Sequence, residues 1–286
     1  MKKILITGAN SYVGTNVEKW LMKEPDKYYV QTLDMKNPNW KEFDFSGFDV
    51  VFHVAGLVHI KEKKQNRDKY YLINRDLAYE TAKKAKNEGV EHFIFLSTMS
   101  VFGMKKGVIS SNTVPKPKNA YGKSKLEAEI LISKLKNNKF SISIIRPPMI
   151  YGYKSPGNYV KLSKIAKKIK VFPNIDNKRS IIFIFNFCEF VKNIIDNSYY
   201  GTFHPQNKEY VSTSKLVYYI SKNNNKLIHF TKIFNFLIIN FFNRFITTKV
   251  FSDLYYDFSL NKIDYDYNIY DLEKSIKLAE GGIDNE

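Results

Sequence analysis

Residues 3–14 read Lys-Ile-Leu-Ile-Thr-Gly-Ala-Asn-Ser-Tyr-Val-Gly, and this stretch decides the fold of the chain. Its apolar start predicts a buried strand, and the turn from Gly8 to Gly14 leads into a periodic helix that continues to about Lys23. A second strand is predicted over 28–33 and is followed at once by Asp34. This order of strand, glycine turn, helix, strand and acid is typical of the mononucleotide-binding half of a doubly wound sheet.

The chemistry of this unit suits a dinucleotide. Glycine at positions 8 and 14 lets the backbone approach a pyrophosphate, and the helix N-terminus offers unpaired N–H groups and a positive dipole end. The Asp34 carboxylate is placed to accept hydrogen bonds from the adenosine ribose. Asp34 without a neighbouring arginine favours NAD, because a carboxylate repels a 2′-phosphate, but Lys36 leaves NADP open.

The rest of the first half of the chain continues the same architecture. Further strands are predicted at 49–56, 92–96 and 141–145, with a helix over 74–87. We therefore expect an α/β fold in which residues 1–150 form a doubly wound, Rossmann-like parallel sheet that binds NAD(P). Residues 151–286 are expected to form mainly a smaller C-terminal substrate-binding lobe. A strand over 180–185 and a helix up to about 197 are expected to return to the first domain.

A second stretch carries the candidate chemistry, Asn-Ala-Tyr-Gly-Lys-Ser-Lys-Leu at 119–126. If it opens a helix, Tyr121 and Lys125 lie one turn apart on the same face. An ammonium a few ångströms away, helped by a cationic cofactor ring, can lower the pKa of a phenol by about 1 to 3 units. Such a tyrosine can exchange a proton with a sugar hydroxyl at neutral pH. The stretch alone leaves open an ordinary amphipathic helix with a surface lysine.

Composition and charge limit the other classes of function. With 286 residues, of which 44% are hydrophobic, the chain can bury a large core. The single cysteine, Cys188, excludes an internal disulfide framework and argues against a structural zinc, so we expect a buried, inert thiol and no metal. The formal charge of +17 would suit a polyanion, but the lysines are spread along the chain, so we expect no nucleic-acid partner.

No stretch of about 18 apolar residues suggests a membrane-spanning helix, and the cytoplasm is the expected location. The nearest approach is Leu227–Ile246, which is rich in Phe and Ile but interrupted by Asn, Lys and Arg. We interpret it as core packing or a partner surface, and a peripheral membrane contact is the alternative.

Seven motifs occur in an order that resembles the extended short-chain dehydrogenase/reductase superfamily. They are Thr7-Gly8 with the turn to Gly14, Asp34, Asp44-Phe45, His53-Val-Ala-Gly-Leu57 with Asn74, Ser97-Thr98 before Val101-Phe-Gly103, Tyr121-x-x-x-Lys125, and Arg146-Pro-Pro-Met-Ile-Tyr-Gly152. Within that superfamily the chain is most similar to the NAD-dependent epimerases, dehydratases and 4-keto reductases that act on nucleotide sugars in bacterial surface-polysaccharide pathways. The likeness covers about 150 residues closely, continues to about position 215 and then fades.

This resemblance implies a role for each matching residue. Thr98, Tyr121 and Lys125 would be catalytic: Thr98 bonds the reacting sugar oxygen, Tyr121 is the general acid/base, and Lys125 holds the nicotinamide ribose. The cofactor would contact Gly8, Ser11, Tyr12, Val13, Gly14, Asp34, Asp44, Phe45, Ala55, Gly56, Asn74, Ser97, Tyr121, Lys125 and Pro148. The substrate would contact Thr98, Met149, Asn158 and Arg179, the last as a guanidinium fork on a diphosphate.

Several positions depart from the family pattern. Ser11 replaces the middle glycine of the turn, which narrows the approach to the pyrophosphate. Met99 and Ser100 stand where the dehydratases carry an Asp-Glu pair, so water elimination is disfavoured. Phe185 replaces an acid common after the next strand. His53 fits the family turn, and we interpret it as a packed, hydrogen-bonded residue.

The resemblance implies an NAD(P)-dependent oxidoreductase acting at carbon 4 of a UDP-sugar. We lean to a 4-keto reductase for a UDP-N-acetyl-6-deoxyhexose in capsule or O-antigen synthesis, and a UDP-hexose or UDP-N-acetylhexosamine 4-epimerase is the alternative. A non-catalytic dinucleotide-binding protein is the rival from another class, motivated by Ser11 and Phe185. Family analogy also implies a homodimer through the helices that begin near Asn74 and Tyr121.

Overall fold

The computed structural model describes residues 1–58, 60, 62–233, 235, 250–261 and 263–281. The strands are β1 (Lys2–Thr7), β2 (Tyr28–Leu33), β3 (Val50–His53), β4 (His92–Leu96), β5 (Gly107–Ile109), β6 (Ser141–Ile145), β7 (Met149–Tyr151), β8 (Val171–Pro173), β9 (Ile181–Phe183), β10 (Gly201–Phe203), β11 (His229–Thr231) and β12 (Leu254–Tyr256). The α-helices are α1 (Tyr12–Leu21), α2 (Arg67–Tyr71), α3 (Leu77–Asn87), α4 (Ala120–Ser133), α5 (Asn158–Ala166), α6 (Ile184–Asp196), α7 (Thr213–Asn223) and α8 (Leu272–Ala279).

The central sheet, as far as the described residues show it, has six parallel strands in the order β10-β6-β4-β3-β1-β2. From β1 the chain adds β2 on one side and then crosses to add β3, β4 and β6 on the other. The order therefore reverses beside β1, and in open α/β sheets ligands bind in the crevice at the carboxyl ends of the strands at such a point. The predicted doubly wound α/β fold is confirmed.

Strand β1 is buried on both faces, which explains its uninterrupted apolar sequence. Ile4 and Ile6 pack into the cluster beneath α1 and α6, whereas Leu5 packs into the cluster beneath α3 and α4. All three side chains are fully inaccessible to solvent. Burying a side chain of this size stabilises the fold by about 1.5–3 kcal/mol, so the sheet is held from both sides.

Two buried histidines lie in the sheet without charge. His53 Nδ1 is 2.8 Å from the Thr7 hydroxyl and its ring stacks near two phenylalanines, so the packed role expected for it is confirmed. His92 Nε2 is 2.7 Å from the Ser143 hydroxyl. Burial lowers the pKa of His53 to about 3 and that of His92 to about 4, with smaller contributions from Lys125 and Lys2 respectively.

Because the folded-state pKa values of His53 and His92 are low, we expect the free energy of unfolding to fall at acid pH. Between about pH 4 and 6.5 the unfolded chain binds protons at both positions and the folded chain does not, so stability falls with falling pH. From pH 7 to pH 5 the free energy of unfolding should drop by about 2 kcal/mol for each histidine. Urea titrations of His92→Asn should show a smaller drop than wild type, whereas His229→Asn, at an exposed position, should match wild type. An unchanged drop in His92→Asn would contradict this explanation.

The structure corrects three expected elements. The strand expected over 180–185 is shorter, and β9 pairs with β7 outside the main sheet, because β10 occupies the edge next to β6. Helix α6 nevertheless packs against α1, with Trp20 Nε1 donating to Glu189 at 2.9 Å. The helix expected from Asn74 begins seven residues earlier at Arg67 and contains a π-turn over Leu72–Asp76. The expected loop before Asn119 contains β5, which pairs with the distant β12.

The lobe is built from α5, α7 and α8 with the small pairs β8–β11 and β5–β12. Glu280 joins its helices: the carboxylate accepts hydrogen bonds from Tyr159 and Ser163 and lies 2.8 Å from Lys167 Nζ. In the part of the chain that the structure describes, no helix has both the length and the apolar character needed to span a bilayer. Most of the stretch Leu227–Ile246, namely 234 and 236–246, lies outside the described residues.

Candidate active site

The glycine turn after β1 meets the turn after β3 at the point where the strand order reverses. Gly8 has φ +119°, and a Cβ there would lie 2.7 Å from the Ala55 nitrogen, so only glycine fits. Gly14 lies in the first turn of α1, where a Cβ would come within 3.1 Å of Val54. Glycine at these two positions therefore lets the turn after β1 and the start of α1 pack directly against the turn after β3.

Ser11 caps the helix as well as narrowing the turn. Its Oγ accepts a hydrogen bond from Gly14 N at 3.1 Å, in the usual manner of an N-cap serine. One of the N–H groups at the N-terminus of α1 is thus already bonded within the chain. This hydrogen bond stabilises the start of α1, and it leaves one fewer N–H group at the helix N-terminus for binding an anion.

Tyr12 and Val13 begin α1 and are half-buried. The Tyr12 hydroxyl is buried without a hydrogen-bond partner among the described residues, and a Cβ on Gly152 would come within 2.5 Å of it. Burial raises the pKa of Tyr12. Tyr12 therefore seats the start of α1 against the Arg-Pro-Pro-Met-Ile-Tyr-Gly segment.

The residues expected to contact the adenosine end differ in exposure. Asp34 is exposed at the end of β2, and its carboxylate accepts a hydrogen bond from Lys36 N at 3.0 Å. Asp44 is also exposed, and hydrogen bonds from Ser46 lower the pKa of its carboxyl. Phe45 is fully buried in the core beneath α3 and α4, where its ring is not accessible to a nucleotide.

Thr98 and Tyr121 meet at the carboxyl end of β4. Thr98 follows that strand. Its hydroxyl accepts a hydrogen bond from Ser100 N at 3.1 Å and interacts with the Tyr121 phenol. Asn119 caps α4 by accepting from Gly122 N at 2.8 Å, which places Tyr121 in the first turn of the helix. Thr98 thus caps the turn after β4, and its expected contact with the sugar oxygen stays a prediction.

Lys125 lies one turn further along α4 and is buried. Its ammonium donates to the Leu96 carbonyl at 2.8 Å and lies 4.5 Å from the centroid of the Phe95 ring. A Cβ on Gly56 would lie 3.3 Å from Lys125 Nζ and 3.2 Å from Asn74 Oδ1. Gly56, Asn74 and Lys125 therefore meet beside the Thr98–Tyr121 pair.

The side chain of Asn74 holds the turn after β3. It accepts from Leu57 N at 2.7 Å and donates to Leu57 O at 3.1 Å, and its amide also lies 3.2 Å from the Ser124 hydroxyl. Asn74 is fully buried within the π-turn between α2 and α3, a type of irregularity that is frequent at functional sites. Its observed role is to fix the Gly56–Leu57 backbone under the site.

The pKa values differ from the expected pattern. Burial raises the pKa of Tyr121 to about 12, against a lowering by the Thr98 hydrogen bond. Burial lowers the pKa of Lys125 to about 7, with Glu129 opposing the shift. The expected lowering of the tyrosine by an adjacent lysine is therefore wrong for the chain alone: Lys125 is only partly charged near neutrality and bonds Leu96, so its field on the phenol is weak.

A buried ionic network behind Lys125 was not predicted. Glu129 accepts a hydrogen bond from the Ser97 hydroxyl and pairs with Arg146, whose Nη2 lies 2.5 Å from the carboxylate. Ser97 was expected to face the cofactor, but its hydroxyl is directed to Glu129. Glu129 lies four residues after Lys125, and this spacing could have indicated from the sequence that the two side chains share one face of α4.

We expect Glu129→Gln to destabilise the fold strongly. Removing one partner of a buried ion pair leaves the Arg146 guanidinium uncompensated, which costs about 3–5 kcal/mol. Glu127→Gln is the matched control, because Glu127 pairs with Arg75 at a partly exposed site where a pair contributes about 0–1 kcal/mol. Urea unfolding of both variants at pH 7 tests the comparison, and equal stabilities would contradict a structural role for Glu129.

Glu62 is a second residue that sequence reasoning missed. Its carboxylate accepts from Ala120 N at 2.9 Å and from Arg67 Nε at 2.8 Å. The first of these bonds satisfies an unpaired N–H at the start of α4 and lowers the pKa of Glu62. Glu62 thereby anchors the helix end that carries Tyr121.

The expected substrate residues lie on the lobe side of the sheet edge. Pro148 is buried and Met149 half-buried at the start of β7, next to the Thr98 turn through the Met99 N to Pro147 O bond of 2.9 Å. Arg179 is half-buried before β9, and its Nη1 donates to Ser252 O at 3.0 Å. Asn158 is exposed at the first position of α5. The described contacts do not link Arg179 or Asn158 to Tyr121.

The remaining departures have structural explanations. Phe185 stacks on Trp20 at 5.3 Å between ring centroids, so an aromatic cluster replaces the ion contacts of an acid there.

Cys188 is fully buried and burial raises its pKa, which confirms the expected inert thiol. Among the described residues, no group of three or more His, Cys, Asp or Glu side chains could hold a metal ion.

These features fit a nicotinamide dinucleotide. The Gly8–Gly14 cradle would hold the pyrophosphate, the exposed Asp34 the adenosine ribose, and the Gly56–Lys125 surface the nicotinamide half.

Comparison with known proteins points the same way. Residues 4–203 match the NAD dependent epimerase/dehydratase family. A UDP-glucose 4-epimerase of Vibrio cholerae is 29% identical over 68% of this chain and 67% of its own length. An N-acetyl-alpha-D-glucosaminyl-diphospho-ditrans,octacis-undecaprenol 4-epimerase of Escherichia coli O157:H7 is 28% identical over 79% of this chain and 73% of its own. The crystal structure of a dTDP-4-dehydrorhamnose reductase from Clostridium acetobutylicum is 26% identical, with a TM-score of 0.68, over 80% of this chain and 82% of its own.

Proposed function

The chain belongs to the NAD dependent epimerase/dehydratase family, and we propose that it is a 4-epimerase acting on a UDP-sugar. Such an enzyme removes a hydride from carbon 4 of the sugar and then returns it to the opposite face. The observation that carries the proposal is the placement of Thr98, Tyr121 and Lys125 together at the carboxyl edge of the sheet, where Thr98 interacts with the Tyr121 phenol and Lys125 donates to the Leu96 carbonyl. As a member of this family the chain is an enzyme that uses a nicotinamide dinucleotide, which does not support the non-catalytic rival.

The chain's own groups divide the proton chemistry between them. The bound nicotinamide supplies the hydride acceptor and donor. Thr98 orients and polarises the oxygen on carbon 4. With the pKa of its phenol lowered by the cationic nicotinamide ring, Tyr121 would take the proton of that hydroxyl and later return it. Lys125, held by the Leu96 carbonyl beside Gly56, would hold the nicotinamide ribose through its ammonium. Epimerisation then requires the ketosugar to present its other face before the hydride returns.

A 4-keto reductase is the second candidate, and two observations support it. One is the similarity to the Clostridium reductase. The other is the pKa of Tyr121, about 12, which keeps the phenol protonated at neutral pH in the form that a general acid needs. In this direction Tyr121 protonates the oxygen of a 4-keto sugar, such as a UDP-N-acetyl-6-deoxyhexose, as hydride reaches carbon 4.

The carrier of the sugar is proposed to be a diphosphate. The two curated relatives are named for a UDP-linked sugar and for a sugar on diphospho-undecaprenol. Arg179 is proposed to bind either carrier, because a guanidinium fork suits a diphosphate. A UDP-sugar is our first choice, and the polyprenyl diphosphate is the alternative carrier.

Two further features remain proposals. We keep residues 1–150 as the cofactor domain and 151–286 as mainly the substrate lobe, with α6 returning to α1. A homodimer through the helices around Asn74 and Tyr121 is supported by Leu72 and Ile130, which are 63% and 51% exposed near those helices.

Cofactor dependence separates the two activities. The purified protein should interconvert UDP-galactose or UDP-N-acetylgalactosamine with the 4-epimer without added cofactor if it is an epimerase. A strict requirement for added NAD(P)H together with a 4-keto sugar nucleotide would overturn the epimerase and support the reductase. Mass spectrometry of the nucleotide released on denaturation would identify NAD or NADP.

A further inference from the structure

The lobe carries an exposed apolar surface formed by Ile165, Val171, Leu227 and Ile233, which we call the lobe face. Their exposed fractions are 49%, 48%, 90% and 80%. Single exposed apolar side chains are ordinary on protein surfaces, but a group of them bordered by polar residues marks an interaction site.

The pairing of β8 with β11 brings part of this face together. Val171 lies directly opposite His229 in the register of the two strands. Phe172 and Phe230 turn inward and their ring centroids lie 6.3 Å apart. Because side chains alternate along a strand, Val171 and His229 point outward, and both are exposed. Leu227 lies two residues before His229, just outside the strand, and is also exposed.

Hydrogen bonds join the rest of the face to this pair. Lys226 Nζ donates to Lys167 O at 2.5 Å, which ties the chain before β11 to the end of α5 that carries Ile165. On the other side, Asn235 Nδ2 donates to Asn174 O at 2.9 Å, which holds the turn containing Ile233 next to the end of β8. These hydrogen bonds place all four exposed apolar side chains on the segments that surround the β8–β11 pair.

The surroundings of the lobe face are cationic. Lys164, Lys168, Lys170 and Lys232 are exposed, and within the described residues none of the four forms an ion pair. The amino-acid sequence contains no Asp or Glu at 130–175 or at 212–252. Any carboxylate near the lobe face must therefore come from other segments of the chain. A second copy of the same face would be repelled by like charges.

We propose that the lobe face docks on an anionic lipid bilayer surface. Exposed apolar side chains enter the boundary between headgroups and acyl chains, and each neighbouring lysine adds attraction to anionic headgroups. Apolar insertion or lysine attraction alone does not give stable membrane binding, and the lobe face together with its surrounding lysines supplies both contributions. Helix α5 begins at the candidate substrate residue Asn158 and reaches Ile165 about 10 Å further along its axis, so docking brings the substrate side of the enzyme close to the membrane.

The test is co-sedimentation of the full chain with vesicles of phosphatidylcholine alone or with half phosphatidylglycerol. Wild type should bind the anionic vesicles at least tenfold more strongly than the neutral ones, and 0.5 M NaCl should weaken that binding severalfold. Leu227→Glu with Ile233→Glu should lower binding to anionic vesicles at least tenfold. Met22→Glu with Val114→Glu is the matched control, because it replaces two side chains that are 57% and 78% exposed and changes the net charge equally.

Three results would overturn the proposal. The first is wild-type protein that stays in the supernatant with anionic vesicles. The second is an equal loss of binding in the control pair, which would mean that net charge alone acts. The third is a change of oligomeric state in the Leu227/Ile233 variant, measured by analytical ultracentrifugation, without loss of vesicle binding, which would assign the face to a second copy. Circular dichroism checks that both variants are folded.

Discussion

Replacing Tyr121 by phenylalanine should lower turnover by about 10²- to 10⁴-fold, the usual contribution of a positioned general acid or base. The phenol is the group with which Thr98 interacts, and phenylalanine keeps the ring that lies 6.4 Å, edge-on, from Tyr70. The fold and the Gly8–Gly14 cradle should be unaffected, because neither uses the hydroxyl. Binding of NAD, measured by calorimetry, should therefore be unchanged.

The control for this variant is Tyr218→Phe, which removes a phenol that is 48% exposed on α7. It should turn over like wild type in the same assay. If Tyr121→Phe kept wild-type turnover with bound cofactor, the proton would have to move through another group and the proposed site would be wrong.

Replacing Lys125 by methionine should lower turnover by orders of magnitude and also change how stability depends on pH. The folded-state pKa of Lys125 is about 7, below its ordinary value of 10.5, because burial disfavours the ammonium. Between these values the unfolded chain holds a proton on this lysine that the folded chain has lost. By linkage, stability must therefore rise with pH over this interval.

From pH 7 to pH 9, Lys125 should add about 2 kcal/mol to the free energy of unfolding, and the methionine variant should lack this rise. Lys123→Met is the matched control, because Lys123 is exposed on the same helix two residues earlier. Urea titrations of wild type and both variants at pH 7 and pH 9 give the comparison. A methionine variant with the same rise as wild type would show that Lys125 is not held in a low-pKa environment.

Local pattern predicted the sheet well, because each strand is short, apolar and bounded by turn residues. The strands at 28–33, 92–96 and 141–145 agree with the structure residue for residue. The start of α4 at Asn119 can also be predicted locally, since an N-cap asparagine needs only the next three residues.

What the sequence did not reveal depends on distant partners. The β5–β12 pair joins residues near 108 and 255, and no periodicity within either segment indicates the other. The direction of Ser97 depends on Glu129, and the start of α4 depends on Glu62, whose side chain arrives from a separate loop. The pKa values of Tyr121 and Lys125 likewise follow from burial, which the four-residue spacing does not report.

The measurement that tests the central claim most directly follows deuterium at carbon 4. A UDP-hexose or UDP-N-acetylhexosamine deuterated at that carbon is incubated with the purified protein, and the product is analysed by NMR and mass spectrometry. If hydride leaves carbon 4 and returns to it, the 4-epimer should form with the deuterium retained, and Tyr121→Phe should form it at least about 10²-fold more slowly. No epimer from any of these sugars, or an epimer that has lost its deuterium to solvent, would contradict the account.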